Sequence, residues 1–390
     1  MNRHLLLLTA CQGLVLTNNV AFMAINGLVG LSLAPQHWMA TFPVMAYVVG
    51  GALSTGLVAR TQRRFGRRVS FQVGLAVAFV SALACAAAVL MHAFWLLCAA
   101  TVVAGYYNAN ATLYRFAAAE LAAPSWREKA VSLVMAGGLI GAVAGPNLAS
   151  LTRQWLAAPF AGAYVALAAV AVLSAVLMQF IRFPPPPSAQ AGQGGRPLSE
   201  IMRQPVFIFA AMAGALGFGV MNLLMAATPL AMQVCSFPFE DVAWVLEWHV
   251  IGMFAPGFFT GHLIRRFGAL PVMAAGLLLN LGCILVALSG VELHHFLAGL
   301  FLLGVGWNFL FTGSTTLSLT AYTAQERDRA QGALNFCIFA TLAVSSLASG
   351  VLVTTQGWQW LNLGSLLPVA LTAAGLLWLA RVQRLAPKVA

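Results

Sequence analysis

The chain has 390 residues, of which 61% are hydrophobic and 7% charged, and its formal net charge is +11. Soluble domains are about 45–50% apolar and about 25% charged, so this composition excludes a soluble enzyme, a disordered chain and a coiled coil. The apolar runs predict an integral membrane protein, because one spanning helix needs about 20 apolar residues.

In chain order, the apolar segments predict twelve transmembrane helices, which places both termini on one side of the membrane. The segments lie at 5–33, 40–59, 69–91, 93–114, 130–151, 161–182, 206–232, 242–264, 269–290, 295–321, 331–353 and 361–381. A polar segment rich in Pro, Ser, Gln and Gly follows the sixth helix, as is typical of a flexible linker. We therefore predict an N-terminal six-helix bundle at 1–183, a cytoplasmic linker at 184–205 and a C-terminal six-helix bundle at 206–390.

Basic residues are distributed unequally between the two sides of this topology. With the N-terminus in the cytoplasm, 19 of the 20 lysines and arginines lie on the cytoplasmic side, and Arg153 alone lies on the other. Short cytoplasmic loops are enriched in Lys and Arg, so the bias predicts that both termini are cytoplasmic. The positive charge then needs no nucleic-acid partner, and we expect a monomer surrounded by the lipid bilayer.

Three short sequence patterns occur once in each half, at offsets between 200 and 202 residues. They are Arg-Arg-Phe-Gly at 63–66 and 265–268, a basic-acidic-basic-Ala segment at 127–130 and 327–330, and Gly followed by an aromatic residue at 105–106 and 306–307. Agreement in offset, at equivalent loops and helices, indicates a duplicated six-helix unit. Parallel repeats about an axis along the membrane normal are typical of the major facilitator superfamily.

The first of these patterns resembles the Gly-x-x-x-Asp-Arg-x-Gly-Arg-Arg motif of that superfamily, although Arg63 and Arg265 stand where the family has Asp. Gly141-x-x-x-Gly145-Pro146 in the fifth predicted helix resembles a second family signature. Its glycines are also expected wherever two membrane helices pack closely. The resemblance implies an all-α membrane protein with the major facilitator fold: twelve transmembrane helices in two pseudo-symmetric six-helix bundles.

Sulfur and imidazole side chains form a possible metal site on the seventh and eighth predicted helices. Met221 and Met225 are four residues apart on one helix, and His249 and Met253 on the next. Such pairs share a helix face, and a short turn between the antiparallel helices brings both pairs to the same level of the membrane. Thioether ligands favour Cu(I), and imidazole also suits copper. Methionine is equally a common apolar filler, so core packing is the alternative interpretation.

The paired motifs resemble those of CcoA-type transporters, which are bacterial major-facilitator copper importers that supply the assembly of cbb-type cytochrome oxidase. The resemblance implies that Met221, Met225, His249 and Met253 bind copper as the transported substrate, with no resident cofactor. A cytoplasmic copper-accepting chaperone or thiol is then the expected partner. No nucleotide-binding loop or catalytic motif is evident, so we predict a transporter that works by alternating access and is not an enzyme.

Two other functions remain open at this stage. Some relatives within this branch resemble riboflavin transporters, and such a carrier would stack a planar solute on Tyr106, Tyr107, Trp307 and Trp248. The same four ligands would also serve a metal sensor or assembly factor that transports nothing.

Three further residues are secondary candidates for the copper path. Cys235 and Met232 lie at the outer end of the seventh helix, where they would transfer copper to the site. The alternative interpretation is an ordinary loop thiol and a methionine at the membrane interface. Glu247 is the one carboxylate inside a predicted span, and polar groups there are functional candidates by default. It precedes His249 by two positions, so it faces another side of the helix, where it would couple protons or reach the interface.

Overall fold

The computed structural model describes residues 3–123, 126–184, 195–323 and 325–385, and their regular structure is entirely helical. Fifteen α-helices and one short 3-10 helix, η1 at His37–Met39, make up these segments. The α-helices are α1 Arg3–Leu33, α2 Phe42–Leu90, α3 Phe94–Ala111, α4 Tyr114–Leu121, α5 Arg127–Ala136, α6 Gly138–Thr152, α7 Ala161–Gln179, α8 Leu198–Met202, α9 Pro205–Val234, α10 Phe239–Phe254, α11 Gly257–Phe267, α12 Ala269–Ser289, α13 Leu293–Ser318, α14 Arg327–Thr355 and α15 Gly357–Leu385.

α2 consists of two helices that meet at a kink at Gly66, so the predicted second and third spans are separate, but helical conformation extends through most of the predicted loop at 60–68. Gly66 interrupts the helix with φ 78° and ψ 175°, and Gly268 at the equivalent position of the second half has φ 89° and ψ 163°. This combination of φ and ψ is accessible essentially only to glycine, because a residue with a Cβ would clash with the backbone. Glycine is therefore required at both positions. The duplicated sequence therefore corresponds to a duplicated backbone turn. Arginine and glutamine are good helix formers, which explains why the helix continues on either side of it.

Ten helices of the described chain are long and apolar enough to span a membrane. This count treats α2 as one span. It also omits α3 and α4, which are separated by a break between Ala111 and Tyr114. Division of α2 at Gly66 and inclusion of α3–α4 give the twelve predicted spans. The eighth span is broken into α10 and α11 at Pro256, because proline lacks the N–H that a continuous helix needs.

Each half forms its own helical bundle around small residues. In the first half, α1 packs on α6 and α7, and α2 packs on α3 and α7. In the second half, α9 packs on α13, α14 and α15, and α12 packs on α13 and α15. A Cβ at Gly141 would overlap the backbone of Thr17, so this glycine allows α6 to lie directly against α1. The family-like glycine signature therefore has the packing role that its sequence predicts.

The two halves meet at one end of the molecule, which carries Arg153 and Glu240 and which we call the opposite face. The other end, with Arg63 and Arg265, is the basic face. At the opposite face α6 packs on α10, and α2 and η1 pack on α14. The Thr41 hydroxyl there donates a hydrogen bond to the Ser346 carbonyl at 2.6 Å.

On the basic face, the charges of Arg115 in the first half and Arg327 in the second repel each other. Within the described residues, no side-chain hydrogen bond or ion pair other than those of the 195–204 segment joins elements across this face. The described side-chain hydrogen bonds between the two halves therefore lie at the opposite face.

The second part of the predicted linker makes specific contacts with the C-terminal half. Residues 185–194 lie outside the described residues, but Arg196 binds Glu326 through both carboxylate oxygens, at 2.9 Å each. The amides of Arg196 and Thr323 donate further hydrogen bonds to the same carboxylate. These contacts fix the end of the linker to the loop before α14. The predicted boundaries at 184 and 205 remain a prediction.

Replacement of Glu326 with glutamine is expected to lower the thermal unfolding temperature at pH 7. The guanidinium and the two amides hold the pKa of Glu326 well below its usual range. A lowered folded-state pKa contributes stability above the unfolded-state value of about 4.3, and this contribution is lost as the pH falls below that value. Unfolding in detergent from pH 7 to pH 3 should therefore show the difference from wild type narrowing on acidification. Asp241→Asn, outside this network, is the control, and a difference independent of pH would contradict the assignment.

Candidate functional site

A cavity of about 330 Å³ lies between the two halves and is lined by both. Its walls come from α1, α2, α3, α4 and α5 of the first half and from α9, α10, α13 and α14 of the second. It extends from Met225 and Met253 towards Arg115, near the basic face. A cavity shared by two bundles is the expected position of a transported solute.

The wall contributed by the second half contains a cluster of aromatic rings. Trp307 and Phe311 are four residues apart on α13, and their rings are stacked, with centroids 5.1 Å apart and an interplanar angle of 8°. Phe218 of α9 packs edge-on against both, and Phe254 of α10 contacts Trp307. The indole Nε1–H of Trp307 is buried and has no hydrogen-bond partner within the described residues. This wall offers flat apolar surface together with one unused donor.

Most polar groups of the cavity lie in the wall contributed by the first half. The Tyr47 hydroxyl donates to the Asn19 side-chain oxygen, and the Asn19 amide donates to Asn108 at 3.3 Å. Gln12 and Arg115 line the cavity on the same side. Arg115 is the single charged side chain among the described residues that line the cavity, and its Nε has no partner there. The cavity is therefore amphipathic and positively charged, with no carboxylate in its described lining.

Three of the four predicted copper ligands lie together. Met221, Met225 and Met253 all line the cavity, and each is less than 10% exposed. The two methionines of α9 and the one of α10 face the same space, as their four-residue spacing and the antiparallel arrangement predict. Their role as metal ligands stays a prediction, because buried methionine also fills apolar space.

His249 does not line the cavity but is fully buried against α13. Its ring nitrogen Nδ1 lies 2.7 Å from the Leu300 carbonyl oxygen. Since a carbonyl only accepts, Nδ1 carries the proton and Nε2 keeps a free lone pair. That Nε2 is buried without a partner within the described residues. Glycine at 304 makes this packing possible, because a Cβ there would overlap the His249 carbonyl oxygen.

The secondary candidates do not gather at the cavity. Met232 is fully buried in the helix core, and Cys235 follows the end of α9 with partial exposure. Glu247 accepts a hydrogen bond of 2.9 Å from the Asn147 amide, which joins α10 to α6 across the two halves. This contact makes Glu247 part of the closure at the opposite face.

Of the four aromatic residues predicted to stack a planar solute, the described cavity lining includes only Trp307. Trp248 is 40% exposed and packs against Phe301 on the outside of the bundle, while the Tyr106 hydroxyl bonds to Thr61. Tyr107 is buried in the core of the first half. The sequence prediction missed several lining residues, namely Gln12, Tyr47, Arg115, Phe218, Phe254, Phe311 and Phe339. The four-residue spacing of Trp307 and Phe311 was the available signal for one of them.

Comparisons with known proteins place this architecture in one family. The Major Facilitator Superfamily model matches residues 5–256 and 236–390. The riboflavin transporter RfnT of Brucella anthropi is 36% identical over 364 residues, covering 92% of this chain and 91% of that protein. The uncharacterized MFS-type transporter YdeG of Bacillus subtilis is 26% identical, covering 88% of this chain and 84% of that protein.

A similar fold is found in a solved structure. A bacterial homolog of the human lysosomal transporter Spinster, in its inward-facing and occupied conformation, has a TM-score of 0.76 at 15% identity, covering 97% of this chain and 96% of that one. At this identity the likeness concerns the fold alone, and it confirms the predicted all-helical architecture. The matched family model, the related transporters and the duplicated bundles agree, and this multi-pass membrane transporter belongs to the Major Facilitator Superfamily.

Proposed function

We propose that the protein imports a planar, amphipathic organic solute of the flavin type, with riboflavin as the substrate to test first. The observation that carries the proposal is the central cavity, whose lining combines the stacked rings of Trp307 and Phe311 with polar side chains that include Asn108 and Arg115. An isoalloxazine ring has flat faces for stacking, and its dione edge accepts hydrogen bonds. The ribityl hydroxyls match amide groups such as that of Gln12.

The charge of the cavity supports an organic solute over a metal cation. Arg115 gives its described lining a net positive charge, and no described carboxylate opposes it. A guanidinium repels a copper ion but donates hydrogen bonds to carbonyl oxygens. The 36% identity to the riboflavin transporter RfnT, over nine-tenths of both chains, supports the same choice of substrate class.

We further propose that the basic face is cytoplasmic, in a bacterial inner membrane, so that the structure represents an inward-facing conformation. The arginine excess supports this orientation through the positive-inside rule. Import then requires separation of α6 from α10 at the opposite face and closure at the basic face.

The test is uptake of labelled riboflavin by a riboflavin-auxotrophic bacterium that expresses the protein. Saturable uptake and growth on low external riboflavin are expected with the protein and not with an empty vector. Copper accumulation is measured in the same cells. Flavin uptake no greater than in the empty-vector control, with the protein present in the membrane, would contradict the proposal.

Copper import, with delivery to cytochrome oxidase assembly, is the second candidate because of one observation at His249. The protonated Nδ1 is bound to a backbone carbonyl while Nε2 is buried and free, which is the arrangement of a metal-binding histidine. If copper is the cargo, the double variant Met221→Leu, His249→Ala should lose its uptake. Met273→Leu, a buried methionine outside the cavity, is the matched control. Copper uptake that is equal in all three proteins would remove this candidate, and specific binding without flux would favour a sensor.

A further inference from the structure

A second cavity, of about 300 Å³, lies between the two halves at the opposite face. It shares no lining residue with the central cavity. Its lining combines three aromatic rings, those of Phe160, Phe237 and Phe239, with polar side chains that include Arg153 and Gln233. Like the central cavity, the second cavity therefore combines flat apolar surface with hydrogen-bond donors.

Arg153 is the lining residue of this cavity whose guanidinium has unused hydrogen-bond donors. Its guanidinium carbon lies 5.2 Å from the ring centroid of Phe160 in the first half and 5.7 Å from that of Phe239 in the second. The guanidinium makes no ion pair or side-chain hydrogen bond within the described residues, and its Nε is buried without a partner. A planar group with five donors, placed between aromatic rings, suits a planar ligand whose edge carries adjacent carbonyl acceptors.

Unusual backbone conformations surround the same cavity. Within the described residues, His92, Phe160 and Ser236 are the non-glycine residues with positive φ, at 52°, 67° and 64°. His92 and Phe160 line the cavity, and Ser236 precedes the lining residue Phe237. A bulky residue such as phenylalanine disfavours the left-handed region, and such conformations concentrate at ligand sites and switch regions.

We propose that this cavity is a second, outer binding station for the transported solute, a planar heteroaromatic molecule with carbonyl acceptors. Arg153 binds the acceptor edge, and the phenylalanine rings contact the ring faces. The inference rests on the proposed flavin-type substrate. Phe160 and Phe239 belong to different halves, and their rings touch edge-on with centroids 5.0 Å apart. A solute seated in the cavity beside them contacts both halves, so it is in place when α6 and α10 separate. The station would thus load the next solute while the central cavity faces the cytoplasm.

The test counts bound riboflavin on the purified full-length protein in lipid nanodiscs, by equilibrium dialysis with fluorescence detection. Wild type is expected to bind two flavins per chain. Arg153→Gln should weaken one of them by about tenfold to a hundredfold, the usual effect of losing hydrogen bonds from a charged donor. Trp307→Leu should weaken the other by stacking loss, and Arg203→Gln, exposed on the basic face, should leave both unchanged. Phe237→Leu replaces Arg153→Gln if that variant does not fold.

The outcomes separate this inference from the proposed function. One flavin per wild-type chain, weakened by Trp307→Leu and unaffected by Arg153→Gln and Phe237→Leu, would overturn the outer station and leave the flavin carrier standing. Absence of any bound flavin, together with absence of flavin uptake, would overturn both.

Discussion

Replacement of Trp307 with leucine lowers the affinity for flavin uptake by about tenfold to a hundredfold, since stacking of one base-like ring on an aromatic side chain contributes about 1–3 kcal/mol. The substitution removes the ring that is stacked with Phe311 and packed against Phe218, together with the unused Nε1–H donor. Leucine keeps apolar surface but offers no flat face and no hydrogen bond. The measurement is the riboflavin concentration that gives half-maximal uptake.

Trp248→Leu is the matched control for this experiment. Trp248 is also a membrane-embedded tryptophan, but it is exposed on the outside of the bundle and lines neither cavity. Its replacement should leave uptake unchanged. If the two variants lost flavin uptake equally, at equal amounts of protein in the membrane, the loss would not be specific to the cavity, and the role of Trp307 would be contradicted.

Replacement of Gly105 with valine is expected to prevent stable folding. A Cβ at this position would overlap the backbone of Gly50 and Gly51, so α3 lies directly against α2. Overpacking of a core by added methyl groups costs about 1–3 kcal/mol, and a clash with backbone exceeds that range because no side chain is able to rotate away. We expect loss of monodisperse protein in detergent, measured by size-exclusion chromatography and thermal unfolding.

Gly56→Val provides the comparison, because Gly56 is also on α2 and a Cβ there meets nothing within 4 Å. Valine has a slightly higher helix propensity than glycine, so this substitution is expected to leave folding intact. Normal yield of Gly105→Val would contradict the close approach of α2 and α3.

The fold was largely predictable from the sequence because membrane helices are long and apolar. The predicted span at 206–232 corresponds to α9 Pro205–Val234, and the span at 269–290 to α12 Ala269–Ser289. What could not be predicted are the junctions, such as the helical turns that extend up to Gly66 from both sides. A hydropathy pattern indicates where the chain leaves the lipid. It does not indicate where a helix ends, because the backbone hydrogen bonds of a helix also form in water.

The cavity was only partly predictable. Four-residue spacing correctly grouped Met221 with Met225, and Trp307 was a candidate for stacking. Spacing defines a helix face but not the neighbour that the face meets, so His249 was expected beside Met253 and instead packs against Leu300. Phe218 and Phe254 carry no sequence signal, because nearly every face of a membrane helix is apolar, whether it meets lipid, core or cavity.

The repulsion between Arg115 and Arg327 makes the balance between the two conformations depend on ionic strength. Closure of the basic face brings these two guanidinium groups closer, so the closed form carries an electrostatic cost that counter-ions reduce. Screening acts over about 8 Å at physiological salt and over a shorter distance in concentrated salt. Added salt is therefore expected to shift the resting population towards the form that is closed at the basic face.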